Sequence, residues 1–211
     1  MTEENKRTQR IEDILLRKQP TLQVFLDDVH SSQNLSAIIR SCDAVGVLDL
    51  YYNCSDNTDF RIHKTITQGA HRWVNRTRIP YEERKVFFQQ KQKEGYQVVV
   101  THLDSRAVSF REVDYTKPTI IVMGNEKEGV SCDIVDLADE IIVIPMMGMV
   151  QSLNVSVATA LLLYEAQSQL ENAGKYLIPQ LSQQQRKKLK DEWIFRDTIA
   201  RRSKGKIPLK F

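Results

Sequence analysis

Two hydrophobic periods alternate along this chain. "TLQVFLDDV" (residues 21–29) is a compact apolar run of the kind that fills a buried strand, whereas "NLSAIIRSCDAVG" (34–46) repeats apolar residues at helical spacing until Gly46 ends it. "LDLYYNC" (48–54), "WVNRTRIP" (73–80), "YQVVVTHL" (96–103), "TIIVMG" (119–124) and "IIVIP" (141–145) predict further strands, several rich in β-branched residues. Between them the pattern predicts a short helix over 61–70, a charged helix over 81–94 stopped by Gly95, a helix over 132–140 and a long apolar helix over 152–170. Strand and helix alternating in this way, with strands apolar on both sides, imply an α/β fold: a parallel sheet with helices on both faces. The body spans residues 21–170, with a helical arm over 1–20 and a mostly helical tail over 171–211.

Composition narrows the class. A hydrophobic share of 41% and a charged share of 27% are those of an ordinary globular protein, and 211 residues suffice for one sizeable core. No apolar run approaches the roughly 20 residues needed to span a bilayer. The start, "MTEENKRTQR", has no apolar segment of a secretory signal, so a cytoplasmic protein without a membrane partner is expected. Cys42, Cys54 and Cys132 have no metal-ligand spacing; they read as buried free thiols, and no metal is expected.

Charge is unevenly spread. From Arg186 to Phe211 ten basic residues face three acids, a net +7, so with a total of +3 the remainder carries −4. Lys6, Arg7, Arg10, Arg17 and Lys18 add a second basic cluster in the N-terminal arm. A mildly acidic body with basic ends is attracted to a phosphate backbone, although such ends are also common as solvated helix faces.

Ligands of open parallel sheets bind beyond the C-terminal ends of the strands. Three such ends are unusual here: Thr101-His102-Leu103, Gly124 through Gly129, and Ile144 through Asn154. Neither GxGxxG after the first strand nor GxxxxGK[ST] occurs, so a phosphate-cradling glycine loop is not supported. Met146, Met147 and Met149 offer a pliable apolar lining, or plain core filling. Ser152 reads as the N-cap of the last core helix, which leaves Asn154 in the first turn with no structural task. Arg40 stands among the apolar residues of the first core helix, either paired with an acid such as Asp43 or gripping a phosphate in bidentate fashion.

"NLSAIIRSCDAVGV", "IIVMGNEKEGVS" and "IPMMGMVQSLNVSVATALLLYEAQ" together resemble the three sequence motifs of the SpoU/TrmH branch of the SPOUT RNA methyltransferases. The resemblance covers roughly residues 5–178 and is strongest to the members that methylate the ribose of guanosine 18 in the tRNA D-loop; it weakens after about residue 180. It implies a parallel α/β sheet whose C-terminal part is a trefoil knot, S-adenosylmethionine (AdoMet) as methyl donor, tRNA as substrate and a homodimer that completes the active sites. Motif matching implies catalytic or substrate-framing roles for Asn34, Arg40, Glu126, Ser152 and Asn154. It implies cofactor contacts at Thr101, Gly124, Asn125, Gly129, Ile144, Met149 and Leu153. Arg7, Arg10, Arg17, Lys18, Arg201 and Arg202 are then expected to meet RNA phosphates, with Trp193 and Phe195 available for stacking. A ribosomal RNA methyltransferase of the same group and a catalytically silent RNA-binding protein remain the rival readings. A guanidinium, protonated up to a pH of about 12, is a poor base. Arg40 is therefore expected to orient a phosphate rather than to take the proton.

Overall fold

The computed structural model describes residues 3–54, 61–125 and 127–202. In chain order the elements are α1 (Glu3–Leu15), β1 (Leu22–Leu26), α2 (Ser32–Ala44), β2 (Asp49–Tyr52), α3 (Lys64–Thr67), β3 (Asn75–Arg78), α4 (Arg84–Lys93), β4 (Gln97–Thr101), β5 (Val108–Ser109), β6 (Thr119–Met123), α5 (Cys132–Val135), β7 (Glu140–Val143), α6 (Val155–Asn172) and α7 (Gln183–Arg202). All seven strands pair in parallel, in the order β3-β2-β1-β6-β4-β7-β5.

The apolar strands split their side chains between two cores with the period-two alternation of a pleated sheet. Val24, Val99 and Ile121 point to one face, where α2 (Ile38, Ile39, Cys42) and α6 (Leu162, Leu163, Ala166) cover them. Phe25, Val98, Val100, Ile120 and Val122 point to the other, under Phe88 of α4 and Ile134 of α5. Burial pushes the Cys42 thiol up to about 12, so it is inert packing. Cys54 is buried too, but Cys132 is exposed at the start of a helix only one turn long, against the expectation of three buried thiols.

The expected helix over 132–140 shrinks to Cys132–Val135, and the two-residue edge strand β5 is too short to carry a periodic signal. Gly46 and Gly95 both adopt positive φ (86° and 89°), which lets them end α2 and α4 at the predicted places. The two terminal arms pack on each other. Ile11 and Leu15 of α1, Leu48, Leu181 and Trp193 of α7 form a third, smaller core. Trp193 has no exposed surface and so does not serve for stacking; Phe195 is 66% exposed.

Lys18 is a correction to the basic arm. Its side chain is fully buried, with Nζ 3.1 Å from Asp43 Oδ1 and 3.2 Å from the Val47 carbonyl, and it lies over the Trp193 ring. Burial lowers its pKa from the usual lysine value, with Asp43 opposing the shift. Three residues past the end of α1 the lysine stem runs inward, so this cation ties the arm to α2 instead of facing RNA.

Candidate active site

The strand order places the C-terminal ends of β1, β6, β4 and β7 side by side. The loops that leave them carry most of the residues singled out above. Thr101 closes β4 and donates its hydroxyl to the Val122 carbonyl at 3.1 Å, and the next residue's amide, that of His102, donates to the Ile142 carbonyl at 3.2 Å. Gly124 follows β6 and Ile144 follows β7.

The loop after β6 turns sharply back on itself. Asn125 and Gly129 exchange backbone hydrogen bonds of 3.0 and 2.9 Å. A Cβ at Gly124 would lie 2.0 Å from the Gly129 carbonyl carbon and 2.2 Å from the Val130 nitrogen, so only glycine fits where the chain passes itself. Gly129 takes φ +74° and lies beside the His102 ring, its own Cβ position being 3.9 Å from Nδ1. The Asn125 side chain braces the loop: Nδ2 donates to the Asp28 carbonyl (2.9 Å), and Oδ1 accepts the Lys127 amide (2.8 Å). Glu126 lies outside the described residues.

Behind these loops sits a polar network that periodicity does not reveal. Asp27, fully buried at the end of β1, accepts from Asn53 Nδ2 (2.7 Å), from the Ser131 amide (2.8 Å) and from the Ser131 hydroxyl. The Asn53 Oδ1 in turn accepts the Asp28 amide at 2.6 Å. One buried carboxylate thus clamps together the loops after β1, β2 and β6 and aims the start of α2. The one available signal was "DD" at 27–28, charge at the end of an otherwise apolar strand.

The helices that follow β1 and β7 meet at their first turns. Ser31 caps α2, its hydroxyl accepting the Asn34 amide at 3.2 Å. Asn154, and not Ser152, caps α6: with φ −53° and ψ 137° it stands outside the helix and its Oδ1 accepts the Ser156 amide at 2.9 Å. Ser152 is exposed in the loop two residues earlier, because the chain does not turn into helical geometry until Val155. The remaining amide of Asn154 donates to Asn34 Oδ1 at 3.1 Å, joining residues 120 positions apart. Both helix N-termini carry partial positive charge, so this junction favours an anion. Arg40, two turns along α2 from Asn34, is exposed; its guanidinium reaches the Ile66 carbonyl of α3 at 3.5 Å.

The segment between Ile144 and Asn154 stands away from the body. Met147 is 94% and Met149 102% exposed, and a Cβ at Gly148 would meet nothing within 4 Å. Leu103, on the loop from the neighbouring strand, is 76% exposed. Ile144 and Leu153 are half-buried. The expected cofactor residues therefore come together at one sheet edge, except that Met149 points into solvent.

The basic residues divide. Arg10 and Arg17 are exposed, whereas Arg7, Arg72 and Arg201 all pair with the almost fully buried Asp197. Arg202 ends α7.

A parallel α/β sheet with glycine-shaped loops and two capped helix starts at its C-terminal edge defines a ligand-handling α/β protein of the open-sheet type. The chain belongs to the SpoU rRNA methylase family, whose sequence model matches residues 21–164. It is 47% identical over 199 residues to a tRNA (guanosine(18)-2'-O)-methyltransferase of Aquifex aeolicus, covering 94% of this chain and 93% of the relative. The solved A. aeolicus TrmH/SpoU tRNA modifying enzyme superposes with a TM-score of 0.88 at 47% identity, covering 93% of this chain and 98% of that one. An AdoMet-bound rRNA methyltransferase from Sinorhizobium meliloti superposes less closely, with a TM-score of 0.64 at 32% identity over 76% of this chain and 60% of that chain.

Proposed function

We propose that this chain methylates the 2′-hydroxyl of guanosine 18 in tRNA, with AdoMet as donor. The likeness to the guanosine-18 enzyme of A. aeolicus carries the reading, because it extends over nearly the whole of both chains, arm and tail included. The rRNA enzyme matches a smaller share of each chain.

The strand-end loops suit the cofactor. Leu103, Met147 and Met149 supply exposed apolar surface for a flat base, and the backbone around Gly124, Asn125, Gly129, Thr101, Ile144 and Leu153 supplies amides and carbonyls at one sheet edge. When bound, AdoMet brings a methyl group already activated on a sulfonium. The protein must then place the ribose oxygen in line with it and give the hydroxyl proton somewhere to go. Arg40 holds the neighbouring RNA phosphate with its planar fork, and that phosphate or a water accepts the proton. Asn34 and Asn154, locked together, frame the ribose, with Ser152 beside them in sequence; Glu126 keeps the role that its motif implies.

A second copy of this chain completes the site. Val157, Leu161 and Tyr164 recur at i, i+4 and i+7 on α6 and are 48%, 42% and 55% exposed, an apolar stripe next to the exposed methionine loop. A trefoil knot accords with the strand order, in which β6 and β7 enter between strands that precede them in sequence. The enzyme works in the cytoplasm, where its substrate is found.

The decisive experiment supplies unmodified tRNA transcript or unmodified ribosomal RNA with methyl-labelled AdoMet and maps the label. Label on the guanosine 18 ribose is the expected outcome; label confined to ribosomal RNA replaces the substrate, and no label on either overturns the reading. Arg40→Lys, which keeps the charge but loses the fork, is expected to lower kcat about a hundredfold. Near-normal turnover of that variant rules out bidentate phosphate orientation.

A further inference from the structure

Beside α3, the short helix that Arg40 touches, lies a cleft that the catalytic residues do not line. It runs between α3, the turn at residues 69–72, β3 and the C-terminal helix α7, with a volume of about 550 Å³. Lys64, His71, Arg72, Arg76, Phe195 and Arg196 line it, and no aspartate or glutamate does. Four permanent cations thus face one concavity, two of them paired with carboxylates set behind the lining, so the cleft favours an anion.

The cations fall into two kinds. Arg72 and Arg196 are held in place: Arg72 by Asp197 at 2.7 Å, and Arg196 by Asn75 Oδ1 at 3.2 Å and Glu192 at 3.5 Å. Lys64 and Arg76 have no hydrogen bond or ion pair from their side chains among the described residues. Burial lowers the pKa of Arg76 from the usual arginine value; Tyr52 opposes the shift and the charge of Arg196 nearby adds to it. Phe195 presents a 66% exposed ring on the helix turn that carries Arg196, an arrangement that offers a face to a base while the cations meet its phosphate. Arg40 bonds to the Ile66 carbonyl, and Lys64 sits two residues earlier in the same short helix, so cleft and catalytic arginine share one wall.

We infer that this cleft is a subsite for a nucleotide of the RNA substrate that flanks the methylated one, with Lys64 and Arg76 on its phosphate and Phe195 stacked on its base. The inference rests on the methyltransferase reading above, and its two phosphate ligands lie in the body of the chain, outside both basic arms. The role of the cleft is positioning: it holds the strand so that the target ribose reaches Arg40.

The test measures tRNA affinity against salt, the KM for tRNA, kcat and AdoMet affinity for the wild type, for Lys64→Ala with Arg76→Ala, and for Phe195→Ala. The double variant is expected to raise the KM for tRNA roughly tenfold or more. It is also expected to flatten the salt slope by about 0.7–0.9 for each phosphate no longer neutralised. Phe195→Ala is expected to raise the KM about tenfold with the salt slope unchanged. AdoMet affinity, unchanged in every variant, reports that the fold is intact. If the wild type methylates tRNA and the variants match it in KM and slope, the cleft assignment falls while the function stands. If the wild type neither methylates nor binds tRNA, both fall.

Discussion

Asn154 does two things with one amide. Its oxygen caps α6 through the Ser156 amide and hydroxyl (2.9 and 2.6 Å), and its nitrogen reaches Asn34 at 3.1 Å. Serine also caps helices but cannot span to Asn34. Asn154→Ser is therefore expected to unfold in denaturant within about 0.5 kcal/mol of the wild type, whereas Asn154→Ala loses about 1 kcal/mol. Both are expected to lose methyl transfer. A Ser variant with full activity shows that the bond between the helix starts is dispensable. The sequence drew attention to this residue for the wrong partner position: Ser152 is an equally good cap by chemistry. Which of the two caps depends on where the loop from β7 rejoins the body, and residue preference does not encode that. Lys18 teaches the same lesson in reverse, since nothing local separates a lysine over solvent from one buried against Asp43 and Trp193.

Among the elements, those with strong apolar periodicity lie where the pattern puts them: β1, β4, β6, α2 and α6. The helices bury their apolar stripes against the sheet and the strands bury both faces under helices, so hydrophobic burial enforces the local preference. The segments read less well, α5 and β5, are one turn and two residues long and owe their form to their neighbours. The arms belong with these. Their charge dominates the local reading, yet Ile11, Leu15, Leu181 and Trp193 bind α1 to α7. Trp193→Ala is expected to cost about 3–5 kcal/mol in denaturant unfolding, as large-to-small changes in a closed core do. A loss below about 1 kcal/mol would mean that the arms are held by their ion pairs instead.

At the scale of the whole molecule, the proposed dimer rests on the apolar stripe of α6 and the exposed methionine loop. Replacing Leu161 and Tyr164 together by glutamate is expected to give a folded monomer by sedimentation, with methyl transfer lost. A double variant that remains dimeric places the interface elsewhere.

By itself the sequence determined the α/β class, the core strands and the motif residues, because hydrophobic period and side-chain chemistry are properties of neighbours along the chain. Tertiary structure alone decided that β6 lies between β1 and β4, that Asn34 touches Asn154, that Asp27 clamps three loops and that cations from α3, β3 and α7 share one cleft. These are contacts between segments tens of residues or more apart. Such contacts follow from how the sheet is ordered, which local pattern leaves open.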